Sequence, residues 1–166
     1  MKKICLFNLG ARLGRRLAPV AAGGQSLLLL TLRLVYGGQY IQTGHGKLMN
    51  LERTTQFFTD LHIPAPGFHA VLVGSTEFFG GILLVLGLGT RLVSVPLIIS
   101  MIVAYLTAER AEAFKSLDSF TSAAPYQFLL ACLILLHFGP GKLAIDAWFA
   151  RQAQKRLATA PDACNH

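Results

Sequence analysis

Between Ser26 and Phe138 the sequence alternates four apolar runs with short charged loops, and only two charged side chains, Arg33 and Glu77, interrupt the runs themselves. This pattern constrains the solvent before it constrains the fold. A water-soluble domain needs a charged surface around its core, and soluble chains carry about 25% charged residues. Here 14% of residues are charged and 53% hydrophobic, with a mean hydropathy of +0.51. Lipid is the expected solvent.

A helix that crosses about 30 Å of hydrocarbon needs about 20 residues at 1.5 Å each. The runs at 26–44, 68–87, 92–108 and 123–138 supply four candidates, the last two completed by flanking residues. The fourth stops at Gly139-Pro140-Gly141, a helix-breaking cluster. No small-residue cleavage site follows a short apolar core, so the first run is read as an uncleaved span. The expected fold is all-α: an integral membrane four-helix bundle with interfacial amphipathic segments. Residues 25–150 form this unit, after a basic amphipathic or flexible extension (1–24) and before a basic cytoplasmic tail (151–166).

Four crossings put both termini on one side. That side carries Lys2, Lys3, Arg12, Arg15, Arg16, Arg91, Lys142, Arg151, Lys155 and Arg156, against Lys47, Arg53, Arg110 and Lys115 on the other. The positive-inside rule makes the richer side cytoplasmic, so the chain is expected in the inner (plasma) membrane with both ends inside. Clusters flanking apolar runs suit anionic lipid. The net charge of +7 comes with no recognition motif, so lipid rather than nucleic acid is the expected partner. Three segments fit the interface: Leu6, Leu9, Leu13 and Leu17 at helical spacing, the stretch 51–61, and 142–156 with Trp148 and Phe149. Cys5, Cys132 and Cys164 form no CxxC pair, which argues against a disulfide framework or thiol redox motif.

Arg33 and Glu77 hold the most information, because a charge at the bilayer centre costs about 2.5–3.5 kcal/mol on insertion scales. Measured from the cytoplasmic ends of their runs, Arg33 lies roughly 13 Å deep and Glu77 roughly 15 Å. Antiparallel neighbours would bring them level, so they are expected to pair. Gly37, Tyr40 and Gly44 continue the face of Arg33, and Ala70, Gly74 and Gly81 that of Glu77. Small residues at this spacing let helices approach closely in lipid. The pair either fixes helix register or lines a polar pocket with Tyr36, Tyr40, His45 and Lys47 as further candidates. His45, His62 and His69 lack the HxH or HxxxH spacing of a metal pair, so no metal ligands are assigned. Glu109, Glu112 and Asp118 read as a solvated loop, and Asp146 suits the start of the last helix.

These residues resemble the DoxX family pattern. The likeness begins at Leu32-Arg33-Leu34 and Gly44-His45-Gly46-Lys47-Leu48, and continues through Phe57-Phe58 and Ile63-Pro64-Ala65-Pro66. Its most specific part is Glu77-Phe78-Phe79-Gly80-Gly81-Ile82-Leu83-Leu84-Val85-Leu86-Gly87, then Thr90-Arg91, with Gly139-Pro140-Gly141 and Asp146 closing it. The resemblance implies a four-helix inner-membrane protein in a family with relatives in thiosulfate:quinone oxidoreductase and in redox- or metal-stress systems. Nothing in the chain marks a sulfur nucleophile, a flavin motif, a haem pair or a metal motif. Two functions stay open on the residues alone. One is a membrane subunit that supports a redox process, with a quinone-sized pocket beside Arg33, Tyr40 and Glu77 and a redox partner protein. The other is a non-enzymatic scaffold, assembly factor or small carrier.

Overall fold

Buried positions recur every three or four residues along each long helix, which is why these runs coil as they do. The first helix, α1 (Lys2–Met49), turns Ser26, Leu29, Arg33, Gly37, Tyr40 and Gly44 inward. After the short amphipathic α2 (Leu51–Asp60), α3 (Pro66–Leu86) buries Ala70, Gly74, Glu77, Gly80, Gly81 and Leu84. Helix α4 (Thr90–Thr107) buries Thr90, Ser94, Leu97, Met101 and Tyr105. A six-residue helix, α5 (Leu117–Ser122), leads into α6 (Ala124–Phe138), and α7 (Ile145–Thr159) follows.

This computed structural model describes residues 2–110 and 115–159, with side chains over 23–110 and 115–155. The side chains of Leu6, Leu9, Leu13, Leu17 and Cys5, the whole of Glu112 and Cys164, and the side chains beyond 155 lie outside what is described. Among those described, every regular element is helical.

The ends of the elements follow local chemistry. Ala65 takes a left-handed conformation (φ 48) before Pro66, whose fixed φ and missing N–H suit a first helical position. Gly87 (φ 71) ends α3; its N–H and that of Leu88 return to the carbonyls of Leu83 and Leu84. Gly139 and Gly141, both at positive φ, open the turn after α6, so α7 starts at Ile145 rather than at the expected 142. At the other end, α1 runs past Gly44-His45-Gly46 to Met49 instead of stopping at 44. Gly44 is a site of close approach: a Cβ there would meet the backbone of Phe78 and, at 2.8 Å, the carbonyl of Gly74.

That close approach governs the packing. Helix α1 lies along α3 with Gly37 against Gly81 and Gly44 against Gly74; a Cβ on Gly81 would stand 2.7 Å from the Gly37 carbonyl. Helix α4 packs on α6 and α3, α6 touches α1, and α2 lies on α3. Leu29, Tyr40, Leu84, Leu97, Met101, Cys132 and Leu135 form the core between them. Helices α3 and α4 are long and apolar enough to cross a bilayer, with α6 a shorter apolar helix.

Candidate functional site

The α1–α3 seam carries a polar cluster at each end, and the expected pairing of Arg33 with Glu77 does not occur. The register that sets Gly37 beside Gly81 sets Arg33 beside Val85. That is eight residues, or about 12 Å, from Glu77 along α3. Each charge finds a different partner.

Arg33, only 2% exposed, spends its guanidinium on backbone. Nε donates to the Leu84 carbonyl (3.0 Å) and Nη2 to that of Val85 (3.2 Å), both in the last turn of α3. Nη1 donates to the carbonyls of Pro140 (2.6 Å) and Leu143 (3.2 Å) in the turn before α7. Carbonyls in a helix's last turn lack the ordinary ladder partners, and the Leu84 carbonyl takes this guanidinium besides the N–H of Gly87, so one planar fork closes the end of α3 and ties the Gly139–Gly141 turn to it. A Cβ at Gly87 would fall 2.6 Å from Arg33 Nη2, so the glycine also makes room for the guanidinium.

Glu77 is 1% exposed and receives Lys47 Nζ on both oxygens, at 2.5 and 2.6 Å. Ser100 of α4 adds a longer donor contact to Oε1 (3.4 Å). Lys47 reaches this carboxylate because α1 continues beyond Gly46, bringing its last turn over α3. A buried carboxylate needs such compensation.

The pair stands in the wall of a cavity of about 630 Å³ between α1, α2, α3, α4 and α6. Tyr40, Lys47, Glu77 and Ser100 supply polar groups; Phe57, Phe58, Leu61, Val73, Met101 and Phe128 supply apolar surface, and Arg53 and His69 complete the lining. Tyr40 is fully buried, packs edge-on to Phe128 at 4.8 Å, and lies 3.5 Å from Cys132 Sγ through its hydroxyl.

Of the residues singled out from sequence, Tyr40, Lys47 and Glu77 meet at this cavity. Tyr36 sits behind it against Phe128 (5.7 Å), His45 is exposed beside Phe78, and Arg33 belongs to the other cluster. Sequence reasoning missed Ser100, Phe128 and Cys132, which come from helices distant in the chain, and did not assign Arg53 to a site. A register read from the glycines, spaced seven apart on both helices, would have separated Arg33 from Glu77. Among the described residues no group of His, Cys, Asp and Glu is arranged to hold a metal ion.

The DoxX family model matches residues 28–110, half of the chain. The chain belongs to the DoxX family. It is similar to "Putative oxidoreductase CatD" of Bacillus subtilis, 32% identical over 117 residues, covering 70% of this chain and 83% of that protein. It is also similar to "Uncharacterized membrane protein Rv3486" of Mycobacterium tuberculosis, 31% identical over 135 residues, covering 75% of this chain and 83% of that one. No solved structure matches it. Membrane character therefore follows from family and composition together. The DoxX match contains Arg33, Lys47, Glu77 and Ser100, whereas Phe128, Cys132 and the Gly139–Gly141 turn lie beyond it.

Proposed function

We propose that this DoxX-family protein is a four-span membrane subunit that supports a redox process by holding a quinone-sized molecule beside Lys47 and Glu77. The cavity carries this reading. Its volume of about 630 Å³ falls within the range of small-molecule sites, which are mostly apolar with a few placed polar groups. Aromatic rings from α1, α2 and α6 suit a flat ring, and Tyr40 and Lys47 suit its carbonyls. The similarity to a protein named as an oxidoreductase agrees with it.

Four crossings are supported by the outward faces. Leu27, Leu28, Leu34 and Val35 on α1, Leu72 and Phe79 on α3, Ile99 and Leu106 on α4, and Leu130 and Leu133 on α6 are all exposed. Apolar surface this extensive needs lipid or protein against it. The charge asymmetry of the loops favours cytoplasmic termini, and reporters fused to either end test this; activity outside the cytoplasm would reverse it.

Menadione or a short-chain ubiquinone, added to the full-length protein in detergent, is expected to bind saturably. Phe128→Ala is expected to weaken that binding about tenfold, the scale of one lost aromatic contact. Absence of binding, with a partner protein co-purifying in equal amount, would instead support the non-enzymatic scaffold or carrier.

A further inference from the structure

The charged groups around the cavity are unequally engaged. The carboxylate is already engaged: Glu77 Oε1 takes Lys47 and Ser100, and Oε2 takes Lys47 again. Several neutral donors are engaged as well. Thr43 bonds the Tyr40 carbonyl (3.1 Å), Thr54 the carbonyls of Lys47 and Asn50, and Asn50 Nδ2 the Gly46 carbonyl (3.0 Å). Unspent donors remain on the cations. An ammonium carries three N–H groups and a guanidinium five. Lys47 gives its recorded contacts to Glu77 alone, and Arg53 makes no hydrogen bond or ion pair among the described residues.

Charge has the same sign as this surplus. Among the described residues that line the cavity, Lys47 and Arg53 are accompanied by a single carboxylate, Glu77, so an excess cation remains once the Lys47–Glu77 bridge is formed. The acids of α2, Glu52 and Asp60, lie along a shallower groove that Arg53 also borders, where Asp60 accepts from Gln56 (3.0 Å). His69, which also lines the cavity with Tyr40, contacts the Ala65 carbonyl through Nδ1 (3.2 Å).

We propose that the cavity selects an organic monoanion with an apolar ring or chain: its ionised head is held by Arg53 and the remaining N–H of Lys47, and its body lies against Phe57, Phe58, Met101 and Phe128. The inference rests on the ligand-binding reading above but goes beyond it, since a neutral quinone satisfies that reading without any use for Arg53. A head rich in acceptors answers a wall rich in donors, and burial beside aromatic rings strengthens the charge-assisted bonds it makes.

Lawsone, a hydroxynaphthoquinone that is ionised at neutral pH, and its neutral methyl ether form a matched pair for the test. Equilibrium dialysis of the full-length protein in detergent, against protein-free micelles, is expected to show lawsone binding about tenfold tighter than the ether. Arg53→Gln is expected to remove most of that preference by weakening lawsone far more than the ether, and Arg53→Lys to restore part of it. Arg53 is exposed and unbonded, so neither substitution threatens the fold. Equal affinities, or a tighter ether, would overturn the anion preference while leaving the cavity reading intact. A preference for lawsone that survives Arg53→Gln largely intact would remove Arg53 from the head site and overturn the proposal as stated. Binding of neither probe would overturn both readings.

Discussion

The two ends of the α1–α3 seam solve the same problem in opposite ways. At one end Arg33 is held by four carbonyls, with Asp146 acting on it electrostatically, and it does not line the cavity described above. At the other, Glu77 is met by a full countercharge, and the pair faces an open volume. Backbone dipoles cannot leave, so the first arrangement is permanent and ties three chain segments together. Lys47 sits on a flexible stem at the mouth of the cavity with its side chain 32% exposed, so the second arrangement can exchange partners. A buried charge alone therefore does not mark a site; what distinguishes the two is whether its partner can be replaced by a ligand.

Removing the fixed charge breaks the comparison most forcefully. Arg33→Leu leaves the carbonyls of Leu84, Val85, Pro140 and Leu143 without this donor, in part-buried surroundings where the Leu84 carbonyl keeps only the N–H of Gly87. Unpaired buried groups cost about 1–3 kcal/mol apiece. A loss on the order of 3–5 kcal/mol is expected after partial relaxation, seen as a fall in thermal midpoint and yield in detergent. Glu77→Leu is not expected to rescue it, and the two changes should add within about 0.5 kcal/mol. Recovery of stability in the double variant would restore the direct pairing that the register denies.

Glu77→Leu alone is the next largest. It strands the Lys47 ammonium, but Lys47 is partly exposed and can turn to water, so about 2 kcal/mol is expected rather than the full cost of an orphaned buried charge. Lys47→Met should recover much of the loss, giving a coupling of about 1–2 kcal/mol by thermal unfolding. If Lys47→Met and Glu77→Leu prove independent, the bridge is not what holds the cavity wall.

The difference between the two ends was only half legible in the sequence. The helical runs, the glycine seam and the importance of Arg33, Tyr40, Lys47 and Glu77 follow from periodicity and the cost of charge in lipid. Their partners did not follow, because depth was judged from where each apolar run ends, and composition locates an end only to within a turn or two. The glycines hold firmer information: Gly37 and Gly44 on α1 mesh with Gly81 and Gly74 on α3 because helices touch where side chains are absent. Gly44→Ala tests that register. Its methyl would overlap the backbone of Phe78, and overpacking of this kind costs about 1–3 kcal/mol. Gly38→Ala, one residue from Gly37 but with nothing within 4 Å, should instead stabilise the helix by up to about 1 kcal/mol. Equal effects at the two positions would deny the close approach. Phe128 and Cys132 were not legible at all, since only packing brings α6 to Tyr40.

Tyr40 gives the smallest expected effect and the finest comparison, because it belongs to core and cavity at once. Its ring packs on Phe128 and its hydroxyl contacts the thiol of Cys132, a weak partner for a phenol. Tyr40→Phe keeps the ring and loses only that contact, so stability should change by less than about 1 kcal/mol. If the hydroxyl is merely accommodated, Cys132→Ala will be equally mild and quinone binding will be the same in both variants. If it is offered to a ligand, Tyr40→Phe should weaken binding several-fold while Cys132→Ala leaves it unchanged, since Tyr40 lines the cavity and Cys132 does not. Stability can be small and equal in both variants while affinity separates them, and that separation would place Tyr40 with the exchangeable end of the seam rather than the fixed one.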